Sequence, residues 1–162
     1  MSAQPPTALD DLLSEAQLTK LREDFDYSYA CADILYALAS AYEPVPPNIK
    51  RIVRTFYTAK AQQQPGGLAP DQRELVQLAL AIQHGNRLNI GIHVYWALCQ
   101  DDALTVAQVI NASLLSTTYL GVDNWANAQA ALRGALTAMG ASADSGKTQD
   151  ADVFGSLVAA LA

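Results

Sequence analysis

The stretch from Leu68 to His93, LAPDQRELVQLALAIQHGNRLNIGIH, constrains the fold more than any other part of the chain. Pro70 suits a first helical turn, and Leu75, Leu78, Ala79 and Ile82 recur at the i, i+3, i+4, i+7 spacing of a buried helical stripe. The spacing predicts a helix from about Pro70 to His84. Gly85 then ends it with a residue that tolerates a left-handed cap, and Asn86 is a good N-cap for a second helix. On that second helix Asn86, Asn89 and His93 share one face, and Glu74 projects from the helix before it. Glu74, Asn86, Asn89 and His93 form the candidate site.

The rest of the chain repeats the helical period. Ala and Leu are abundant, β-branched runs are few, and 51% of the residues are hydrophobic, so a single all-α domain over residues 1–162 with a proper core is expected. A short leader, Met1 to Thr7, precedes an amphipathic helix marked by Leu9, Leu12, Leu13 and Ala16 that runs to about Leu21. Cys31, Leu35, Leu38 and Tyr42 mark a longer helix, which Glu43 to Pro47 breaks. A third from about Asn48 carries Ile49, Ile52, Val53 and Phe56, and fades into a loop from Ala59 to Gly67. Residues 1–62 thus read as an N-terminal helical layer.

After the central pair, Leu88, Ile92, Tyr95, Trp96 and Cys99 give the second helix its apolar stripe, with His93 on the opposite face. Asp101 and Asp102 interrupt the pattern, and Thr105 with Gln108 makes a capping box for a helix through Val109, Ile110 and Leu114 to about Tyr119. Gly121 breaks it, and another helix from Asp123 or Asn124 runs to Gly140 with Trp125, Ala128, Leu132 and Leu136 on one stripe. Ala126, Ala130, Ala131 and Gly134 form a small-residue face that permits close helix approach. A linker over residues 141–149 leads to a last helix over 150–162. Within the linker, ASADSGKT satisfies a loosened phosphate-loop pattern, but no strand precedes it and its first position is Ala, so it is set aside.

The segment from Leu68 to about Leu136 resembles the core of the alkylhydroperoxidase D-like and carboxymuconolactone decarboxylase family. The likeness lies in the Leu-x-Pro-x-x-Arg-Glu-Leu entry (Leu68, Pro70, Arg73, Glu74, Leu75), the apolar helix after it, His93, and the acidic turn and helix that follow (Asp101, Asp102, Thr105, Val106, Val109, Ile110). The resemblance implies a compact multi-helix fold of that type and a homo-oligomer, dimer, trimer or hexamer. In the peroxidase branch a Glu is followed by Cys-x-x-Cys-x-x-x-His. Here the Glu is Glu74, the His is His93, and the two cysteine positions are Asn86 and Asn89. Leu88 replaces the His that often precedes the second Cys. The decarboxylase branch tends to have Glu four residues before the His, where this chain has Asn89.

Those replacements decide the chemistry that the resemblance leaves open. A thiol peroxidase needs a thiolate to attack the peroxide and a second thiol to resolve the sulfenic acid, and Asn does neither. Glu74 and His93 remain as a proton-transfer pair suited to enolisation, lactone isomerisation, decarboxylation or hydration, with no cofactor and no metal. Asn86 and Asn89 would polarise an oxyanion, Arg87 beside a helix N-terminus would attract a carboxylate, and Trp96 would line the pocket. Each has a plainer alternative: Glu74 complementing the dipole and pairing with Arg73 or Lys60, Asn86 as a cap, His93 as a core histidine, Arg87 as a solvated arginine. His84 at a helix end reads as structural. Three functions follow: a cofactor-independent acid/base enzyme (decarboxylase, isomerase or lyase type) on a small anionic or carbonyl-bearing substrate, a non-catalytic binding or structural protein, or a redox protein using Cys99.

Charge and cysteine usage narrow the partners. A net charge of -6 argues against nucleic acid and anionic membranes. No apolar run approaches the roughly 18 residues of a membrane span, and the first residues lack the pattern of a signal peptide, so a cytoplasmic protein is expected. Cys31 and Cys99 stand in no metal or redox spacing and read as buried free thiols.

Overall fold

The structure, a computed structural model, describes residues 8–26, 68–100 and 102–162. These form a short 3-10 turn, Leu9–Asp11, and six α-helices: α1 (Glu15–Glu23), α2 (Pro70–His84), α3 (Arg87–Cys99), α4 (Val106–Leu120), α5 (Val122–Asp144) and α6 (Asp150–Leu161). Every regular element among the described residues is helical, with no strand among them. The helices expected over Cys31 to Tyr42 and from Asn48 to Phe56, with Cys31 and the loop from Ala59 to Gly67, lie outside the described residues, as does Asp101.

Local chemistry sets most of the boundaries. The backbone N–H of Ala69 donates to the Gln72 side chain at the start of α2, and Pro70 occupies its first turn. Gly85 closes the helix at φ 68°, the left-handed cap that glycine takes without a Cβ penalty. The Asn86 side chain accepts from the Asn89 N–H at 2.9 Å and starts α3. Thr105 and Gln108 form the expected reciprocal cap at the head of α4.

Two boundaries differ from the sequence expectation. The first helix is not continuous from Leu9: the chain makes a 3-10 turn and restarts at Ser14, whose side chain and that of Gln17 form a capping box. Helix α5 runs past Gly140 to Asp144, which shortens the connector to residues 145–149. Gly140 is a packing glycine. A Cβ there would lie 3.3 Å from both the Gln17 amide nitrogen and the Leu12 carbonyl oxygen, so its absence lets α5 pass under the N-terminal turn. The linker stretch ASADSGKT is therefore the end of α5 followed by a turn with Gly146 at φ 70°.

Helix α3 is the centre of the described fold. It packs on α2, α5 and α6, and every residue from Ile90 to Cys99 is buried. The expected two-faced helix, apolar on one side with His93 opposite, is replaced by one enclosed on all sides. Gly91 lets α6 approach: a Cβ there would fall 2.3 Å from the Leu161 methyl, and one at Gly134 of α5 would fall 2.6 Å from the other Leu161 methyl. The Leu161 side chain thus occupies a socket made by two absent side chains.

Candidate functional site

Glu74 sits in the second turn of α2, beyond the helix's free N–H groups, and its side chain is fully buried. His93 lies at mid-α3 and is 8% exposed. Back-to-back packing of α2 and α3 across the Gly85–Asn86 corner brings His93 Nδ1 to 3.0 Å from Glu74 Oε2. An ionised carboxylate only accepts, so this contact is a hydrogen bond when Nδ1 carries the proton. In the neutral ring that leaves the Nε2 lone pair as the available base. Arg73 Nε lies 3.7 Å from the other carboxylate oxygen, Oε1. A buried carboxylate is therefore held between an imidazole and a guanidinium.

Trp96 fixes the ring from another side. Its indole meets the imidazole edge to face, with centroids 5.1 Å apart at 87°. The imidazole is thus restrained by a hydrogen bond at Nδ1 and by an aromatic wall.

The remaining sequence candidates occupy the corner. Asn86 Oδ1 is engaged as the α3 cap, accepting from the backbone of Asn89. Arg87 donates from Nε to Asn127 Oδ1 at 2.7 Å, and Asn127 Nδ2 donates to the Gly85 carbonyl at 2.8 Å. Arg87 thereby ties the corner to α5. Along the axis of α3, Asn89 is one turn and about 6 Å from His93, whereas Asn86 is about 10 Å away. A small molecule at His93 therefore has Asn89 within reach more readily than Asn86 or Arg87. His84 is exposed at the end of α2.

Among the described residues, two of the surface grooves lie elsewhere. One runs between α2 and α4, lined by Val76, Leu80, Leu115 and Tyr119 among others. The other lies between α5 and α6, beside Ser142, Lys147 and Ser156. Neither includes Glu74 or His93.

Cys99 carries a free, buried thiol, and burial pushes its pKa well up, against the thiolate that redox chemistry requires. A second buried polar cluster has no counterpart in the sequence reading. Tyr95 donates its hydroxyl to Asp150 Oδ1, and the Asp26 backbone N–H donates to Asp150 Oδ2 at 2.9 Å. Burial raises the Asp150 carboxyl above the usual range, an effect that these two hydrogen bonds oppose, and burial together with Asp150 raises Tyr95. The proton of the pair thus stays on the phenol. A tyrosine inside an apolar run is the one available sign of such a cluster, because a buried hydroxyl needs a partner.

No group of His, Cys, Asp and Glu among the described residues is placed to hold a metal ion, and none of their helices is long and apolar enough to cross a membrane. No protein-family model, no curated protein and no solved structure matches the chain.

Proposed function

We propose that the protein is a cofactor-independent acid/base enzyme, of the decarboxylase, isomerase or lyase type, acting on a small anionic or carbonyl-bearing substrate. The observation that carries this reading is the buried Glu74 carboxylate 3.0 Å from His93 Nδ1. Glu74 orients the imidazole and stabilises its cationic form, Nε2 takes a proton from a carbon or oxygen of the substrate, and the imidazolium returns it. Asn89, one turn away on the same face, would donate to the oxyanion that develops. The resemblance of Leu68 to Leu136 to the carboxymuconolactone decarboxylase family supports the same reading, with Asn86 and Asn89 in place of the redox cysteines. The homo-oligomer that this resemblance implies is part of the proposal.

The test is proton exchange at carbon. A panel of small oxo acids and unsaturated lactones is incubated in D₂O and followed by NMR with wild type, His93→Ala and the isosteric Glu74→Gln. Deuterium incorporation, isomerisation or loss of CO₂ with wild type, removed in His93→Ala and reduced in Glu74→Gln, is the expected result. Rates equal to those of His93→Ala across the panel would count against the reading.

One set of observations favours a second reading, a non-catalytic helical protein. Asn86 and Arg87 are occupied in holding the corner, and the Glu74–His93 pair joins α2 to α3 with little exposed surface. In that case both variants alter stability alone.

A further inference from the structure

We infer that the face formed by α2 and α4 is a two-fold interface between copies of this chain. The inference deepens only the oligomer in the reading above and is independent of the chemistry.

Four large apolar side chains stand out from this face: Val76 and Leu80 on α2 (each 49% exposed) and Leu115 and Tyr119 on α4 (68% and 88%). Val76–Leu80 and Leu115–Tyr119 are each an i, i+4 pair, so they form two ridges along neighbouring helices. Between them lies a groove of about 430 Å³ whose lining includes the small residues Ala79 and Ser116. A ridge and a groove side by side on one surface are the elements of isologous packing, in which each copy's ridge enters the other's groove.

Charge selects the partner. No Asp, Glu, Lys or Arg occurs from Leu75 to Gly85 or from Val106 to Val122, although the chain as a whole carries a net charge of -6. A helix facing water ordinarily carries charge on its outer side, and interface cores are depleted in charge and enriched in Tyr. A charged partner finds no complement here. A second copy brings the same uncharged face, and two chains of like net charge meet where neither bears any.

The area is also in proportion. Side chains with these exposures present roughly 400 Å² of apolar surface, within the range of a monomer's largest patch and close to the apolar share of an ~800 Å² per-partner interface. A two-fold contact produces a dimer, or a hexamer if combined with a three-fold axis, but not a simple trimer.

The test uses the full chain. Light scattering and sedimentation at tens of micromolar measure the mass of wild type, Leu115→Glu and Leu80→Glu, with far-UV circular dichroism as the check on folding. Both substituted positions are at least half exposed or close to it, so the helices should persist. Even-numbered oligomers of wild type, with dissociation raised about tenfold or more in either variant, are expected. A photo-reactive phenylalanine at position 119, in a mixture of isotopically light and heavy protein, should cross-link to residues 76–83 or 115–122 of the other copy. A monomeric wild type would overturn both this inference and the expected oligomer. An oligomer unaffected by either glutamate, or cross-linked at another face, would overturn the interface alone.

Discussion

Substituting Tyr95 by Phe tests the buried cluster that ties the N-terminal segment to α6. Tyr95 is 1% exposed and Asp150 is 3% exposed, and the phenol supplies one of the two donors to the carboxylate. Both groups that meet Asp150 donate to it, so the ionised form is the one that the geometry serves. Deleting the hydroxyl leaves Oδ1 without that donor while Oδ2 keeps the Asp26 N–H. A hydrogen bond to a charged group contributes about 1.5–3 kcal/mol, so a loss of roughly 2 kcal/mol at neutral pH is expected. In a chain of this size that lowers Tm by about 4–8 °C. The loss depends on pH. The folded-state pKa of Asp150 already lies above its ordinary value, and the Tyr95 hydrogen bond is one of the effects that lowers it, so the variant's value is higher still. A carboxyl raised on folding favours the folded state in acid and loses that contribution as pH rises through the raised pKa. The difference between wild type and variant is thus largest where Asp150 is ionised in both, and it shrinks as pH falls toward the unfolded chain's value of about 3.9. Urea denaturation of both proteins at neutral pH and in a descending series of buffers measures it. A difference that stays constant across the series, or one below about 0.5 kcal/mol at neutral pH, would refute the assignment.

Further substitutions test the packing. His93→Ala removes a partner of a fully buried carboxylate, and with Arg73 still beside Glu74 it should cost about 2–4 kcal/mol by chemical denaturation. Glu74→Gln keeps the shape and should cost less, which makes it the cleaner probe of turnover. Gly91→Ala places a methyl against Leu161, so a loss of about 1–2 kcal/mol by thermal melting is expected once the helix-propensity gain is offset. Adding Leu161→Ala should recover part of it, giving a non-additive double mutant.

The elements read best from the sequence are those whose ends are set by neighbouring residues. Pro70, Gly85 and Asn86 define the α2–α3 corner through caps a few residues long, and the Glu74–His93 contact follows from the corner plus helical spacing. Ser14 with Gln17 is an equally local signal, obscured by the apolar stripe that runs across it. Gly140 misleads because a glycine that stops a helix and one that lets another segment approach look alike, and its neighbour Gln17 is 123 residues away. The Tyr95–Asp150–Asp26 cluster joins residues 55 and 124 positions apart, a pairing that only the tertiary fold creates. The enclosure of α3 is of the same kind, since amphipathic spacing cannot reveal that a polar face will also be covered.

That enclosure bears on how the sequence can drift. A helix with one wet side keeps half its positions open to nearly any residue, and its tolerance to substitution rises and falls with the helical period. Helix α3, 13 residues long and buried at every position from Ile90 to Cys99, has no such open side through its middle. A change of side-chain size there has to be absorbed by the helices packed around it, α1, α2, α4, α5 and α6, so His93 rides on a part of the described fold with little room for single substitutions.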